Sequence, residues 1–283
     1  MIRVERILAG IDLGPDTERV LAYASFFGKL WNASIDLLYV IDYLVTPPAY
    51  IISYIEEEKT KALKSIEKWQ KSISNIGIET RSEVVVGRLY ESFNFSIKKT
   101  QADLLVLGHR SHPFRRSSSE RLIKGLNIPM LVIQGQKSKG ATIGGVRIER
   151  ILCPVDFSDY SRKALHLASE ISILTGARLH IIHVLPGHLL KGIKDRGDEA
   201  IEDMRRDAEE KIREFIADLS LSRGEGIILI GEPYKEIVSN AAENDMDLII
   251  MGARGLGLIE GILLGSVTDA VLRSSPCPVI IVH

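Results

Sequence analysis

The sequence predicts an α/β protein built from two tandem domains, each a five-stranded parallel sheet with helices on both faces. Three observations predict it. The chain has 283 residues, enough for two ordinary cores. It also repeats itself: ERIL at 5–8 returns at 149–152, a displacement of 144. The same register carries Asp12 onto Asp156, Ala33 onto Ala177, Val40 onto Val184, Gly87 onto Gly231, Tyr90 onto Tyr234, Asp103 onto Asp247 and Gly108 onto Gly252. Finally, short continuous apolar runs alternate with helix-period segments, and right-handed crossovers between parallel strands need such intervening helices.

The elements are clearest in the second copy. ILCPV (151–155), LHIIHVL (179–185), IILI (227–230), LIIM (248–251) and VIIV (279–282) are too continuous for half-exposed strands and too short for most helices. They read as five buried strands. Between the first two, Ala164, Ala168, Ile171 and Leu174 mark the inner face of a helix whose start Ser158 and Asp159 are placed to cap. After the second strand, Ile201, Met204, Ala208, Ile212, Phe215, Ile216 and Leu219 recur at three- and four-residue spacing among charges, the stripe of a long helix. VTDAVLR (267–273) continues as a helix before the last strand.

The copies occupy residues 1–134 and 148–283. Residues 135–147, GQKSKGATIGGVR, are polar, glycine-rich and aperiodic, and read as a linker. Thirty-six lysines and arginines against 37 acidic residues leave no positive field for a nucleic acid or an anionic membrane. No run approaches the length of a membrane helix, and MIRVERILAG has no signal-type apolar core, so a cytoplasmic protein is expected. The two cysteines, Cys153 and Cys277, form no disulfide framework or zinc pattern and read as buried thiols.

Ligands of parallel sheets sit beyond the carboxyl ends of the strands, which directs attention to Asp156, Val184 and the glycine loop after the fourth strand. That loop runs Gly252, two residues, Gly255, nine residues, Gly265, Ser266, and ends at a helix start. Glycines let backbone approach a ligand, and the first amides of a helix point outward at the positive end of its dipole. The combination suits phosphate, with Arg254, Ser266 and Thr268 placed to add donors. A P-loop would need a lysine before Ser266, where Gly265 stands. A dinucleotide fingerprint would follow the first strand. Standing alone, Asp156 would read as a turn former; beside the intact loop spacing it reads as part of a nucleotide site.

The G-x2-G-x9-G-S spacing, an aspartate ending the first strand and the closing PCPVIIV strand together resemble the universal stress protein family, in its ATP-binding branch. The resemblance covers nearly the whole chain. It implies the adenine-nucleotide alpha-hydrolase-like, Rossmann-like fold and pairing of the last strands, here within one chain as a pseudo-dimer, with a homodimer also compatible. It further implies that Pro154, Val155 and Asp156 line the adenosine side, with the Asp156 carboxylate accepting from the ribose. Val184 would meet adenine through its backbone. Met251, Gly252, Arg254, Gly255, Gly265, Ser266, Val267 and Thr268 would surround the phosphates. The cofactor so implied is ATP or AMP, with Mg accompanying ATP. The function implied is nucleotide-dependent regulation in stress response through an unidentified protein partner. A slow ATP hydrolase and a nucleotide-independent scaffold are the alternatives.

The first copy departs from this pattern. Aligning Pro129 with Pro278 shows its loop, GHRSHPFRRSSSERL from Gly108, to be five residues shorter, with Ser111 in place of Gly255, Arg116 in place of Gly265 and Ser117 in place of Ser266. Asp12, Val40 and Gly108 persist, so two readings stand: a vestigial site, or a weaker one for a ligand such as AMP whose phosphate meets Arg115 or Arg116. His109 and His112 lack an evident third metal ligand. His180 and His183 should face opposite sides of a strand.

Overall fold

The structure, a computed structural model, describes residues 3–42, 51–109, 118–187, 198–217, 225–255 and 264–283. The chain divides into two compact units, one of Ile2–Ile133 with Ser138–Val146, the other of Gln134–Lys137 with Arg147–His283.

In chain order the first unit contains β1 (Arg6–Gly10), α1 (Thr17–Trp31), β2 (Ser34–Ile41), α2 (Ile51–Ser74), β3 (Thr80–Val86), α3 (Leu89–Thr100), β4 (Leu104–Gly108), α4 (Ser118–Gly125) and β5 (Met130–Ile133). Its strands lie in the order β3-β2-β1-β4-β5, all parallel. The second unit repeats the plan with β6 (Arg150–Pro154), α5 (Asp159–Thr175), β7 (Arg178–Pro186), α6 (Asp198–Ala217), β8 (Glu225–Gly231), α7 (Pro233–Glu243), β9 (Leu248–Gly252), α8 (Ser266–Ser274) and β10 (Val279–Val282). Here the order is β8-β7-β6-β9-β10, again parallel throughout.

This order places a topological switch point in each unit. The chain winds outward from β6 through β7 to β8, then returns to lay β9 on the other side of β6. The crossovers therefore part in opposite directions above the β6 and β9 ends and leave a crevice there. Its walls are rigid because the central strands are dry: Ile151, Leu152, Cys153, Leu248, Ile249 and Ile250 have no measurable exposure. Each first strand is anchored at its other end by a repeated aspartate. Asp103 Oδ2 accepts from the Glu5 and Arg6 amides at 2.8 and 3.0 Å, and Asp247 Oδ2 from the Glu149 and Arg150 amides at 2.9 and 3.0 Å.

α5 starts as its sequence indicates: Ser158 is the N-cap, and its hydroxyl accepts from the Ser161 amide at 3.2 Å. Ala164, Ala168 and Ile171 are buried beneath it, but Leu174, expected on the same face, is 51% exposed. In α6, Ala208, Ile212 and Phe215 are buried. Leu219, expected on the same stripe, lies outside the described residues.

Two expectations need correction. The IILI run is not a buried strand: β8 is last in its sheet, and Ile227 and Ile230 are 44% and 40% exposed. Residues 135–147 are also not a loose tether throughout. Gly135 has φ +78°, and a Cβ there would stand 2.2 Å from the Pro276 carbonyl carbon. The Lys137 amide donates to the Pro276 carbonyl at 3.1 Å, while its ammonium meets Asp245 at 2.6 Å and Asp247 at 3.3 Å. Among the described residues no helix is long and apolar enough to cross a membrane.

Candidate functional site

β6 ends at Pro154, and the Val155 amide makes one more ladder bond, to the Ile182 carbonyl at 2.8 Å. Asp156 then turns the chain. Its Oδ1 accepts from the Ser158 amide at 3.1 Å and the Ser158 hydroxyl at 2.6 Å, a side-chain turn that leads into the α5 cap. The turn holds Phe157 at φ +66°, unusual for a bulky residue. Leu13 sits at φ +56° after Asp12, where Asp12 Oδ1 accepts from the Gly14 amide at 2.9 Å and the Thr17 hydroxyl at 3.3 Å. The duplicated aspartate is thus a turn former through one oxygen. In the second unit the other oxygen lies against the glycine loop: a Cβ on Gly255 would stand 2.2 Å from Asp156 Oδ2. The structure brings these two sequence-distant residues together, and the missing side chain leaves room for the carboxylate oxygen.

Val184 contributes backbone. Along a strand, the amide and carbonyl of one residue point to the same side, and the side alternates with a period of two. Ile182 points to β6, as its bond from Val155 shows, so Val184 points the same way, beyond the last ladder bond of β6. Its amide and carbonyl therefore face the crevice floor. His183 supports that floor from the other side. Its Nδ1 donates to the Val155 carbonyl at 2.8 Å, and its ring packs on Phe157 at 4.4 Å between centroids. Burial holds the His183 imidazolium below its ordinary range, against the opposing pull of the Val155 bond and the Asp156 charge. In sequence, its spacing from His180 marks only that the two face opposite sides of the strand. His180, on the same strand, makes no part of this floor.

The glycine loop leaves β9 at Met251 and Gly252, both buried, and re-enters at Gly265, the N-cap of α8. Residues 256–263 lie outside the described residues. The two ends are tied twice: the Gly265 amide donates to the Ala253 carbonyl at 2.7 Å, and the Thr268 hydroxyl to the Gly252 carbonyl at 2.9 Å. Thr268 and Gly252 each have a structural partner here. Thr268, 3% exposed, spends its hydroxyl proton on the loop instead of directing it outward. Gly252 lacks a side chain because α5 packs there: a Cβ would stand 2.8 Å from Tyr160 backbone and Cβ, and 3.0 Å from the Ser161 nitrogen. The amides of Ser266, Val267 and Thr268 open α8, where a helix has no internal acceptors for them, and Ser266 is exposed. Arg254 lies above the Tyr160 ring, its guanidinium carbon 5.6 Å from the centroid.

In the first unit the Ile11 amide bonds to the Leu38 carbonyl at 3.0 Å, so Val40 occupies the position of Val184, and Gly108 ends β4. The loop closes differently, with His109 Nδ1 at 3.0 Å from the Ser119 hydroxyl. Ser111, His112, Arg115, Arg116 and Ser117 lie outside the described residues. Among the described residues no three histidine, cysteine or acidic side chains gather as a metal centre.

Comparison with known proteins agrees with this duplication. The profile of the universal stress protein family matches residues 3–134 and again 147–283. A universal stress protein of Thermus aquaticus is 33% identical over 136 residues, covering 47% of this chain and 97% of its own. YxiE of Bacillus subtilis, another universal stress protein, is 33% identical over 145 residues, covering 47% and 98%. The crystal structure of a universal stress protein from Archaeoglobus fulgidus superposes on the whole chain with TM-score 0.77 at 24% identity, covering 97% of that chain, which speaks for the fold. Two matched halves, one sheet order and one repeated aspartate turn lead to a single assignment: the chain belongs to the universal stress protein family and carries its domain twice.

Proposed function

We propose that the second domain, 148–283, binds an adenine nucleotide, ATP or AMP, and that the chain is a regulatory binding protein of the stress response whose occupancy alters contacts with a protein partner. One observation carries the reading: Asp156 Oδ2 and the Cβ-free face of Gly255 meet at the switch point of the sheet, next to the outward amides of α8. A carboxylate oxygen suits two vicinal sugar hydroxyls, and the amides of Ser266, Val267 and Thr268 suit phosphate oxygens. The Val184 amide and carbonyl offer one donor and one acceptor to a purine edge, with Pro154 and Val155 as the apolar floor. With ATP, Mg would take the Ser266 hydroxyl as its protein ligand. The first domain keeps the floor, Asp12 and Val40, under a different closure, so it binds more weakly.

Calorimetric titration with ATP and AMP tests this, on the parent and on Gly265→Arg, which copies the first domain. The parent binds, and the variant loses at least about tenfold in affinity, the equivalent of one charge-assisted hydrogen bond. Equal binding by the two proteins excludes the loop as the phosphate seat.

A further inference from the structure

The segment Ser138–Val146 packs with the first unit and leaves a cleft beneath it. A turn closed by the Gly145 amide on the Thr142 carbonyl at 2.9 Å brings Gly144, at φ +84°, and Val146 to the last two turns of α1. There Ser25, Phe26, Lys29 and Leu30, neighbours on one helix face, form one wall, and Ile76 adds to the lining of a space of about 290 Å³. The strands are parallel, so this cleft, beside the chain that enters β2 and β3, lies at the opposite end of the sheet from the Asp12 turn. It is separate from the nucleotide crevice.

Most of the lining is apolar, and two polar groups interrupt it. Ser25 is 1% exposed, and its hydroxyl has no hydrogen-bond partner. A serine within a helix can donate to the carbonyl four residues back, and buried hydroxyls are ordinarily satisfied, so this one needs an explanation. Lys29, one turn further on, is exposed, and among the described residues no carboxylate lies within ion-pair distance of its ammonium. The duplication supplies an internal control. At the matching positions of α5 the serine persists as Ser169, but Glu170 replaces Phe26 and Ile173 replaces Lys29. The ring and the cation occur together only in the first copy.

We infer that this cleft binds a small monocarboxylic acid with an apolar body. Its carboxylate takes the Lys29 ammonium and the Ser25 hydroxyl as donors, and its hydrocarbon lies along Phe26, Leu30, Ile76 and Val146. At about 30 Å³ for each water-sized group, the space suits a molecule of about ten non-hydrogen atoms, which is an acid of about eight carbons. An amine of the same length meets a like charge at Lys29, and an alcohol lacks the charge that Lys29 would neutralise. The bound acid touches both α1 and the segment that follows β5, so it fastens one to the other.

The test is calorimetric titration of the full chain with octanoate, beside octanol and octylamine. Octanoate is expected to saturate one site per chain at millimolar concentration, at least about tenfold more tightly than either analogue. The exposed change Lys29→Glu loses at least about tenfold in octanoate affinity. Ser25→Ala loses about two- to tenfold while keeping the parent's unfolding midpoint, because the hydroxyl it removes has no partner within the protein. Val146→Phe fills the cleft from the segment side and abolishes binding. Octanoate also slows tryptic cleavage at the exposed Lys139 and Arg147 in the parent and not in Val146→Phe. Absence of saturable binding, octylamine binding as tightly as octanoate, or an octanoate affinity unchanged in Lys29→Glu and Val146→Phe overturns the site.

Discussion

Replacing Gly255 by alanine adds one methyl group, and the structure defines what it meets. The new Cβ would stand 2.2 Å from Asp156 Oδ2 and 3.4 Å from its carboxyl carbon, and at under 3.0 Å something must shift. The carboxylate cannot swing freely, because Oδ1 holds the Ser158 amide and hydroxyl at 3.1 and 2.6 Å and Phe157 is fixed at φ +66° behind it. Either the turn is strained, at about 1–3 kcal/mol, or the loop retreats and opens the cradle. In both cases the sugar loses a charged acceptor worth about 1.5–3 kcal/mol, a loss of about ten- to a hundredfold in ATP affinity. The control is Gly265→Ala, whose Cβ would make only 3.4 Å contacts with Ala253 and Arg254. Calorimetry with ATP, beside thermal unfolding of each variant, separates binding from stability. If Gly255→Ala binds ATP as the parent does, Asp156 Oδ2 is not the sugar's partner and the reasoning fails.

Further outcomes can be checked on the same protein. Thr268→Val, of equal shape, strands the buried Gly252 carbonyl and should lower stability by about 1–3 kcal/mol in urea unfolding, and an unchanged midpoint contradicts the tie. Burial pushes the Cys153 thiol above its ordinary range and Cys277 up to about 12, the latter against a weaker opposing bond from Ser275. Native protein should therefore resist thiol reagents at pH 8. Stability present below pH 9 should decline as pH rises toward 12, because only the unfolded chain ionises; fast labelling of folded protein refutes this. His180, His183 and His283 are all lowered from 6.5, chiefly by burial. Their contribution is complete above 6.5 and lost as pH falls below it, so unfolding midpoints should drop between pH 6.5 and 4, less steeply in His183→Asn, which keeps a donor for Val155 without a titrating ring.

Much of this architecture was legible because it rests on periodicity and repetition. The five apolar runs of the second copy became strands at the expected places, and Ser158 caps α5 as its type and position indicate. Edge and interior were not separable, since IILI reads as continuously apolar whether it is covered on one side or two. The site was legible as residues but not as roles. Gly252 and Gly255 look alike in a loop, yet one admits the backbone of α5 and the other faces a carboxylate. A hydroxyl residue at a helix start reads as a donor for a ligand, and only the fold shows the Thr268 hydroxyl closing the loop. Phe157 and Leu13 carried no signal at all, because neither residue type favours a positive φ, and the aspartate turn imposes it.

The central claim is that one carboxylate and three helix-end amides of the second domain hold a nucleotide. A crystal structure of the chain grown with ATP tests it most directly. The account predicts ribose hydroxyls on Asp156 Oδ2, the purine edge on the Val184 backbone and phosphates on the amides of Ser266, Val267 and Thr268. ATP bound at the first domain alone, or in the second with its sugar turned away from Asp156, would contradict it.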